Sequence, residues 1–127
     1  MFSHMMVGSN DLSRSKKFYD ALFGAVGGKP GIQDDRGRLA YMHNGGVFMV
    51  TQPIDGQAAS HANGATIGIA MESPEQADAW HAAGAANGGT PIEDAPGERE
   101  GPFGPLYLAY LRDPDGNKLC ALHRVKR

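Results

Sequence analysis

The most informative segment of the chain is Tyr110-Leu-Arg-Asp-Pro-Asp-Gly-Asn-Lys-Leu-Cys-Ala-Leu-His123. It predicts a strand, a tight turn and a second strand, because the central Asp-Pro-Asp-Gly favours a turn and both flanks are rich in apolar and aromatic residues. Asp113 and Asp115 are expected to shape the turn through side-chain hydrogen bonds. The segment therefore predicts a β-hairpin whose second strand carries Cys120.

Length and composition limit the classes of protein to consider. The chain has 127 residues, with 12 lysines and arginines against 14 aspartates and glutamates. This length fits one compact domain, and the near balance of charge does not favour nucleic acid or a membrane surface as a partner. The sequence contains neither a run of about 20 apolar residues nor a secretory signal, and a single cysteine fits a reducing compartment. We therefore expect a cytoplasmic protein.

The chain divides into two halves with the same order of predicted elements. Asp11 is a favourable N-cap for a helix over residues 12–23. Ser73-Pro-Glu-Gln76 predicts the start of a second helix, which ends near Ala86. In each half one strand precedes the helix and three follow it. The predicted strands cover residues 2–7, 31–33, 39–43 and 47–52 in the first half, and 66–71, 90–93, 106–111 and 118–123 in the second.

Equivalent positions recur at the same spacing in the two halves. His4 and Thr66 each lie seven residues before the cap of a predicted helix, and Met49 and Cys120 each lie four residues after a turn glycine. This repeated spacing predicts two copies of one βαβββ unit. The single predicted domain then comprises a first module, a linker and a second module at residues 1–52, 53–63 and 64–127.

Alternation along the predicted strands separates two faces of the sheets. One face is bulky and apolar throughout, as expected where helices cover a sheet. The other is smaller and more mixed, as expected for the lining of a cleft. The candidate ligand-binding residues on this second face are His4, Met6, Met49, Thr66, Gly68, Cys120 and Leu122.

A further candidate segment is the long stretch at residues 94–105, which is predicted to be an irregular loop. Loops of this length often close over a site. Arg99 and Phe103 are therefore candidate ligand contacts, and Arg99 suits a carboxylate or phosphate. A solvated connection is the alternative interpretation.

Several motifs together resemble one known group of proteins. They are His4 followed by Val7-Gly-Ser-Asn-Asp-Leu12, then Lys17-Phe-Tyr19, and the segment Tyr110-Leu-Arg-Asp-Pro-Asp-Gly-Asn-Lys-Leu119. With them the chain resembles the vicinal-oxygen-chelate superfamily, which includes glyoxalase I, bleomycin-resistance proteins and extradiol dioxygenases. The resemblance implies an α+β fold of two βαβββ modules in tandem. Their curled mixed sheets would surround a central cleft, with the helices on the outer face. Proteins of this superfamily frequently form homodimers.

The resemblance also identifies four positions that hold a metal in other members, usually with histidine and glutamate. In this chain those positions fall on His4, Met49, Thr66 and Cys120, and only His4 matches. Hard divalent ions prefer carboxylate or imidazole ligands, so this set is a poor one. We therefore predict no cofactor. A divalent Zn, Ni, Mn or Fe ion held with His4 is the alternative.

Two of these residues have more than one possible role. His4 is the candidate catalytic residue, as a general base or to orient a polar substrate, and the alternative is a histidine satisfied by a backbone carbonyl. Cys120 would act as a nucleophile only with a lowered pKa, a nearby base and access. A buried strand cysteine that packs as a small hydrophobic side chain is the alternative.

These observations predict a glyoxalase- or bleomycin-resistance-like protein that binds a small, partly apolar molecule in its cleft without the usual metal. The alternative is a metal-dependent lyase or dioxygenase that uses His4 as a ligand. A structural dimerisation module is a third interpretation, and it predicts a cavity filled by side chains. Whether the protein is an enzyme is left open by the sequence.

Overall fold

The computed structural model describes residues 1–126. Within these residues the chain forms two helices and two mixed sheets, which confirms the α+β prediction. The helices are α1 (Leu12–Gly24) and α2 (Pro74–Ala86). The strands of the first half are β1 (Met5–Gly8), β2 (Ile32–Gln33), β3 (Leu39–His43) and β4 (Gly46–Thr51). Those of the second half are β5 (Ile67–Ala70), β6 (Thr90–Pro91), β7 (Gly97–Gly101), β8 (Gly104–Arg112) and β9 (Lys118–Arg124).

The two sheets share one plan of strand pairing. The first sheet has the order β1-β4-β3-β2, and the second has the order β5-β9-β8-β6, with β7 also paired to β8. In each sheet the strand before the helix is parallel to the last strand of its half, and the neighbouring pairs are antiparallel. The second half therefore repeats the order of the first and adds one strand, β7.

Both helices begin where the sequence predicts. The side chain of Asp11 accepts a hydrogen bond from the backbone nitrogen of Arg14 (3.1 Å). The Ser73 hydroxyl accepts one from the backbone nitrogen of Gln76 (3.0 Å). The Gln76 side chain accepts from the nitrogen of Glu72 (2.8 Å), one residue before the position expected for a capping box. The bonds made by Asp11 and Ser73 satisfy amide groups that the first turn of a helix leaves without partners.

The prediction of an irregular loop at residues 94–105 is wrong. Residues 97–101 form β7, which pairs antiparallel with β8. The run Gly-Glu-Arg-Glu-Gly has no apolar alternation, so its strand arises from backbone pairing with a longer neighbour and not from its own pattern. The first predicted strand also begins too early. Pairing of β1 with β4 starts at Met5 and Phe48, which leaves residues 2–4 exposed.

The helices cover one face of each sheet, as the alternation predicts. A single buried apolar cluster includes side chains from both helices and from both sheets. Its members include Val7, Phe48, Val50, Ile69, Leu119 and Ala121 from the strands, and Phe18, Tyr19, Leu22, Phe23, Ala77 and Trp80 from the helices. Because this one cluster contains side chains from both halves, the two halves pack against each other. No helix in residues 1–126 has the length and apolarity needed to cross a membrane.

The Asp-Pro-Asp-Gly-Asn turn joins the two halves through buried hydrogen bonds. Asp113 is 3% exposed, and its Oδ2 accepts from the Tyr19 hydroxyl (2.5 Å) and from Asn117 Nδ2 (2.8 Å). Its Oδ1 accepts from the backbone nitrogens of Asp115 (3.0 Å) and Asn117 (2.8 Å). The turn-shaping role predicted for Asp113 is therefore confirmed, and this carboxylate also anchors α1 from the other half. Burial raises the pKa of Tyr19, and the Asp113 carboxylate raises it further, so the phenol keeps the proton that it donates.

Asp115 makes a second link between the halves at the same turn. Its Oδ1 accepts from the backbone nitrogen of Asn10 (2.9 Å) and from Arg14 Nη2 (2.8 Å). Asn117 Nδ2 also donates to the carbonyl of Gly8 (3.3 Å). The end of β1 and the start of α1 are thus held against the start of β9.

Candidate functional site

The second sheet leaves one face uncovered by helices, and we call it the open face. On β8, Ala109 and Leu111 are buried beneath the helices, so the residues between them point to the other side. Strand register extends this assignment across the sheet. The open face includes Thr90 on β6, Gly97 and Arg99 on β7, Leu106, Leu108, Tyr110 and Arg112 on β8, Lys118, Cys120, Leu122 and Arg124 on β9, and Gly68 and Ala70 on β5.

A row of three residues crosses the middle of the open face. Tyr110 lies opposite Cys120, which in turn lies opposite Gly68. The Nζ of Lys118 is 5.0 Å from the centroid of the Tyr110 ring, within the range of a cation–π contact. Lys118 also forms an ion pair with Glu93, which follows β6. The row therefore combines a phenol, a thiol and an adjacent ammonium group.

Cys120 lies in this row as a protonated thiol. Its side chain is buried, with the residue 4% exposed, and Sγ donates a weak hydrogen bond to the carbonyl of Ala121 (3.5 Å). Burial raises the pKa of the thiol, the Tyr110 hydroxyl lowers it in part, and the charges of Glu93 and Lys118 act in opposite directions. The net shift is upward, so the thiolate that a nucleophile needs is scarce at neutral pH. This environment favours the interpretation of Cys120 as a small hydrophobic side chain.

The first sheet has an uncovered face of a different character. Met6 and Met49 are neighbours there across β1 and β4. Ile32 and Met42 lie on the same side and are 72% and 74% exposed. This face is therefore apolar and open, whereas the open face of the second sheet carries polar groups.

A cavity of about 320 Å³ lies between the edge strands β1 and β5. It brings together the predicted residues Met6 and Thr66, and it adds Lys118 and His61. A smaller, mostly apolar cavity of about 180 Å³ is lined by residues of both sheets and also touches Gly68. The larger cavity is lined by Met5, Met6, Val7, Gly8, Ser60, His61, Ala62, Ala65, Thr66, Ile67, Asn117 and Lys118.

Arg99 and Phe103, predicted as loop residues, lie in different places. Arg99 is on β7, where it lies opposite Leu106 on the open face. Phe103 lies in the turn between β7 and β8 and is 88% exposed. Since Tyr110 is six strand residues beyond Gly104, the turn is about 20 Å from the central row. The structure therefore brings Arg99 to the candidate site and leaves Phe103 outside it.

The four positions at which the resemblance implies metal ligands offer a weak set of donors here. His4 is exposed before β1, with 2.8 Å between its Nδ1 and the Ser3 hydroxyl. Met49 is a thioether on β4, Thr66 is an exposed hydroxyl before β5, and Cys120 is a buried thiol. Within residues 1–126 no three histidine, cysteine, aspartate or glutamate side chains are grouped to hold a metal ion. These donors do not match the set that a hard divalent ion prefers.

Sequence reasoning did not select Tyr110, Lys118 and Glu93 as site residues. Tyr110 and Lys118 stand on the two sides of the Asp-Pro-Asp-Gly turn, so the hairpin prediction contained the signal for them. Pairing the two strands across that turn places Tyr110 opposite Cys120. Glu93 had no such signal, because its ion pair depends on the path of the chain after β6.

Comparison with known proteins identifies the family. A family model described as a glyoxalase-like domain matches residues 4–122. The crystal structure of a glyoxalase/bleomycin resistance protein from Albidiferax ferrireducens T118 shares 62% identity with this chain and superposes with a TM-score of 0.93. The match covers 98% of this chain and 99% of that one. No curated protein matches significantly.

More distant structures share the fold alone. A glyoxalase-related enzyme from Fulvimarina pelagi is 19% identical, with a TM-score of 0.72, and the match covers 98% of this chain and 88% of that one. Lactoylglutathione lyase from Agrobacterium tumefaciens is 15% identical, with a TM-score of 0.67 and coverage of 97% and 92%. The family model spans nearly the whole chain, and the motifs and fold agree with it. The chain therefore belongs to the glyoxalase-like domain family of the vicinal-oxygen-chelate superfamily.

Proposed function

We propose that this protein binds a small, partly apolar molecule in the cavity between β1 and β5 and on the adjoining open face. The observation that carries the proposal is the cavity of about 320 Å³, whose lining mixes apolar side chains with a hydroxyl, an imidazole and an ammonium group. Ligand sites usually begin near 300 Å³ and combine an apolar lining with a few polar groups. A purely structural module would instead fill this space with side chains.

Six of the predicted residues have distinct places in this proposal. Met6 and Met49 supply an adaptable apolar wall, since methionine side chains repack readily. Thr66 offers a hydroxyl at the cavity, and Cys120 and Leu122 supply a compact apolar floor on the open face. His4, exposed just before β1, is the candidate general base if the bound molecule is also transformed.

A panel of metabolites and antibiotics tests ligand binding through thermal stability. We expect at least one compound to raise the melting temperature, because a ligand that binds only the folded state stabilises it. Thr66→Phe, which adds bulk at the cavity, is expected to abolish that shift. Ala85→Phe adds the same bulk on the exposed side of α2 and is expected to preserve the shift. Equal shifts in both variants would place the ligand elsewhere.

We further propose that binding does not depend on a divalent metal, because the donors at the four family positions are poorly suited to one. Elemental analysis of untagged protein purified without chelators should find less than about 0.2 metal ions per chain. Near-stoichiometric Zn, Ni, Mn or Fe that is lost in a His4→Ala variant would contradict this. That result would establish the alternative, a metal-dependent lyase or dioxygenase that uses His4.

We also propose that the protein assembles as a homodimer and acts in the cytoplasm, and the exposed apolar face of the first sheet supports the dimer. Ile32 and Met42 are large side chains left mostly in water in a single chain, and contiguous apolar surface of this kind marks contact sites. Light scattering that gives the mass of one chain at micromolar concentration would contradict the dimer.

A further inference from the structure

The open face concentrates positive charge on a protein that is slightly acidic overall. The whole chain has a formal net charge of −2. Strands β5–β9, all within the described residues, nevertheless place four cations and no carboxylate on this face, by the register of the strands. The four cations are Arg99, Arg112, Lys118 and Arg124. Glu93, which follows β6, adds one carboxylate beside Lys118, so this face still carries more positive than negative charge, unlike the protein as a whole.

Two of these cations approach Tyr110 from opposite sides. Lys118 lies over its ring, with Nζ 5.0 Å from the centroid. The guanidinium of Arg99 folds across Gly97, where an added Cβ would be 3.0 Å from Nη1. Gly97 lies opposite Leu108, two residues before Tyr110 on the same face. Burial raises the pKa of Tyr110 and the charge of Arg99 opposes that rise, which agrees with a guanidinium close to the phenol.

The hydrogen-bonding capacity of both cations is only partly used by the protein. In the described structure Arg99 donates through Nη2 to the carbonyl of Ala95 (3.0 Å), and a guanidinium has five N–H groups in all. Lys118 is paired with Glu93, whose side chain is 46% exposed, compared with 23% for Lys118. The carboxylate is thus the more solvated partner, and an incoming anion of the same charge can take its place.

Glu93 also has an unusual backbone conformation. Its φ angle is 59°, in the left-handed region that residues with a side chain seldom adopt. Such a backbone costs free energy, which the surroundings must offset. A glutamate held in this conformation beside the ammonium group occupies the place that a ligand oxyanion would take.

We propose that the ligand carries a carboxylate or phosphate group, held by Arg99 and Lys118 beside Tyr110, with its apolar part on the open face. This rests on the proposed function, because it names the chemical class of the molecule bound there. The anion displaces Glu93 from Lys118, and Arg99 supplies the planar donors that suit an oxyanion. The apolar part of the ligand lies along Leu108, Leu122 and the Cys120 thiol. A cationic ligand would meet like charges on this face.

Four six-carbon probes test the proposal: hexanoate, hexyl phosphate, hexan-1-ol and hexylamine. Their dissociation constants are measured by NMR titration of the full-length protein, with the amide shifts of β8 and β9 as the readout. Hexanoate, hexyl phosphate or both should bind at least about tenfold more tightly than hexanol and hexylamine, because a charge-assisted pair is worth about 1.4 kcal/mol or more. The ratio of the two anions identifies the preferred head group.

Substitutions of opposite expected effect make the test specific. Arg99→Gln and Lys118→Gln should each weaken binding of the preferred anion about tenfold. Glu93→Gln should strengthen it several-fold, because the competing carboxylate is removed. Lys17→Gln changes the charge by the same amount on the exposed side of α1 and should leave binding unchanged. A merely structural role for Glu93 would not predict tighter binding.

Three results would overturn the proposal, and they differ in what they say of the function. If hexanol or hexylamine binds the open face as tightly as the anions, the charge assignment is wrong and ligand binding still stands. If none of the four probes binds and no compound of the larger panel stabilises the protein, both proposals fail together. An equal loss in Lys17→Gln and Lys118→Gln would show a long-range charge effect and would also reject a specific anion site.

Discussion

Replacing Asp113 with alanine is expected to lower the free energy of unfolding by about 3 kcal/mol. The reason is the number of buried donors that depend on this carboxylate. The Tyr19 hydroxyl, the Asn117 amide and two backbone nitrogens all donate to it. Alanine would leave the fully buried Tyr19 hydroxyl and both backbone nitrogens without this acceptor, and Asn117 Nδ2 would keep only its bond to Gly8. Urea unfolding followed by circular dichroism measures the change from the shift in midpoint.

Two further variants show whether the loss of stability comes from the missing carboxylate or from general damage to a turn. Tyr19→Phe should cost less, about 1 kcal/mol, because Asp113 then keeps its bonds to Asn117. Asp35→Ala removes an exposed aspartate from the turn before β3 and should change stability by less than about 0.5 kcal/mol. If Asp113→Ala lowered the free energy of unfolding as little as Asp35→Ala, the hydrogen bonds of Asp113 would not be what holds the two halves together.

Gly89→Ala is expected to destabilise the protein by about 2 kcal/mol, the next largest effect. A Cβ at this position would be 2.5 Å from Cε1 of Phe18 and 2.8 Å from the carbonyl oxygen of Gly84. It would also be 3.2 Å from the carbonyl oxygen of Arg112. Two of these three atoms belong to the backbone, so the neighbours cannot move aside cheaply. Thermal and urea unfolding of the variant measure the cost.

Gly24→Ala is the matched control for that substitution. Gly24 ends α1, and no atom lies within 4 Å of a Cβ built there. Alanine is therefore expected to leave stability unchanged or to raise it slightly, since it loses less backbone entropy on folding. If both substitutions destabilised the protein equally, the close approach of Phe18 and the two carbonyls at Gly89 would not be the cause.

The parts of the fold that could be predicted from the sequence are mostly those decided by residues close together in the chain. Asp11 and Ser73 cap their helices as expected because capping is decided within a few residues. The alternation of Val7, Phe48, Val50 and Leu119 predicted the face that the helices bury. In contrast, β7 was missed because its charged sequence has no strand pattern of its own, and its pairing with β8 is decided by the hairpin as a whole.

The candidate site was predicted less completely, for a physical reason. Residues on the central strands, such as Cys120 and Gly68, could be assigned to a face by counting along the chain. The ion pair of Lys118 with Glu93 depends on where a loop returns to the sheet. The position of the Arg99 guanidinium over Gly97 depends on β7, a strand that the sequence pattern does not predict. Contacts of this kind are decided by tertiary structure.

The hydrogen bond between Tyr19 and Asp113 spans 94 residues of sequence, and this separation has a consequence for synthesis of the protein. When the first half of the chain has left the ribosome, the acceptor for the Tyr19 hydroxyl has not yet been made. Residues 1–52 thus lack the partner that satisfies their most buried phenol until the last hairpin emerges. A fragment that stops before that hairpin is expected to remain incompletely folded, so this domain completes its folding only after β8 and β9 have both been made.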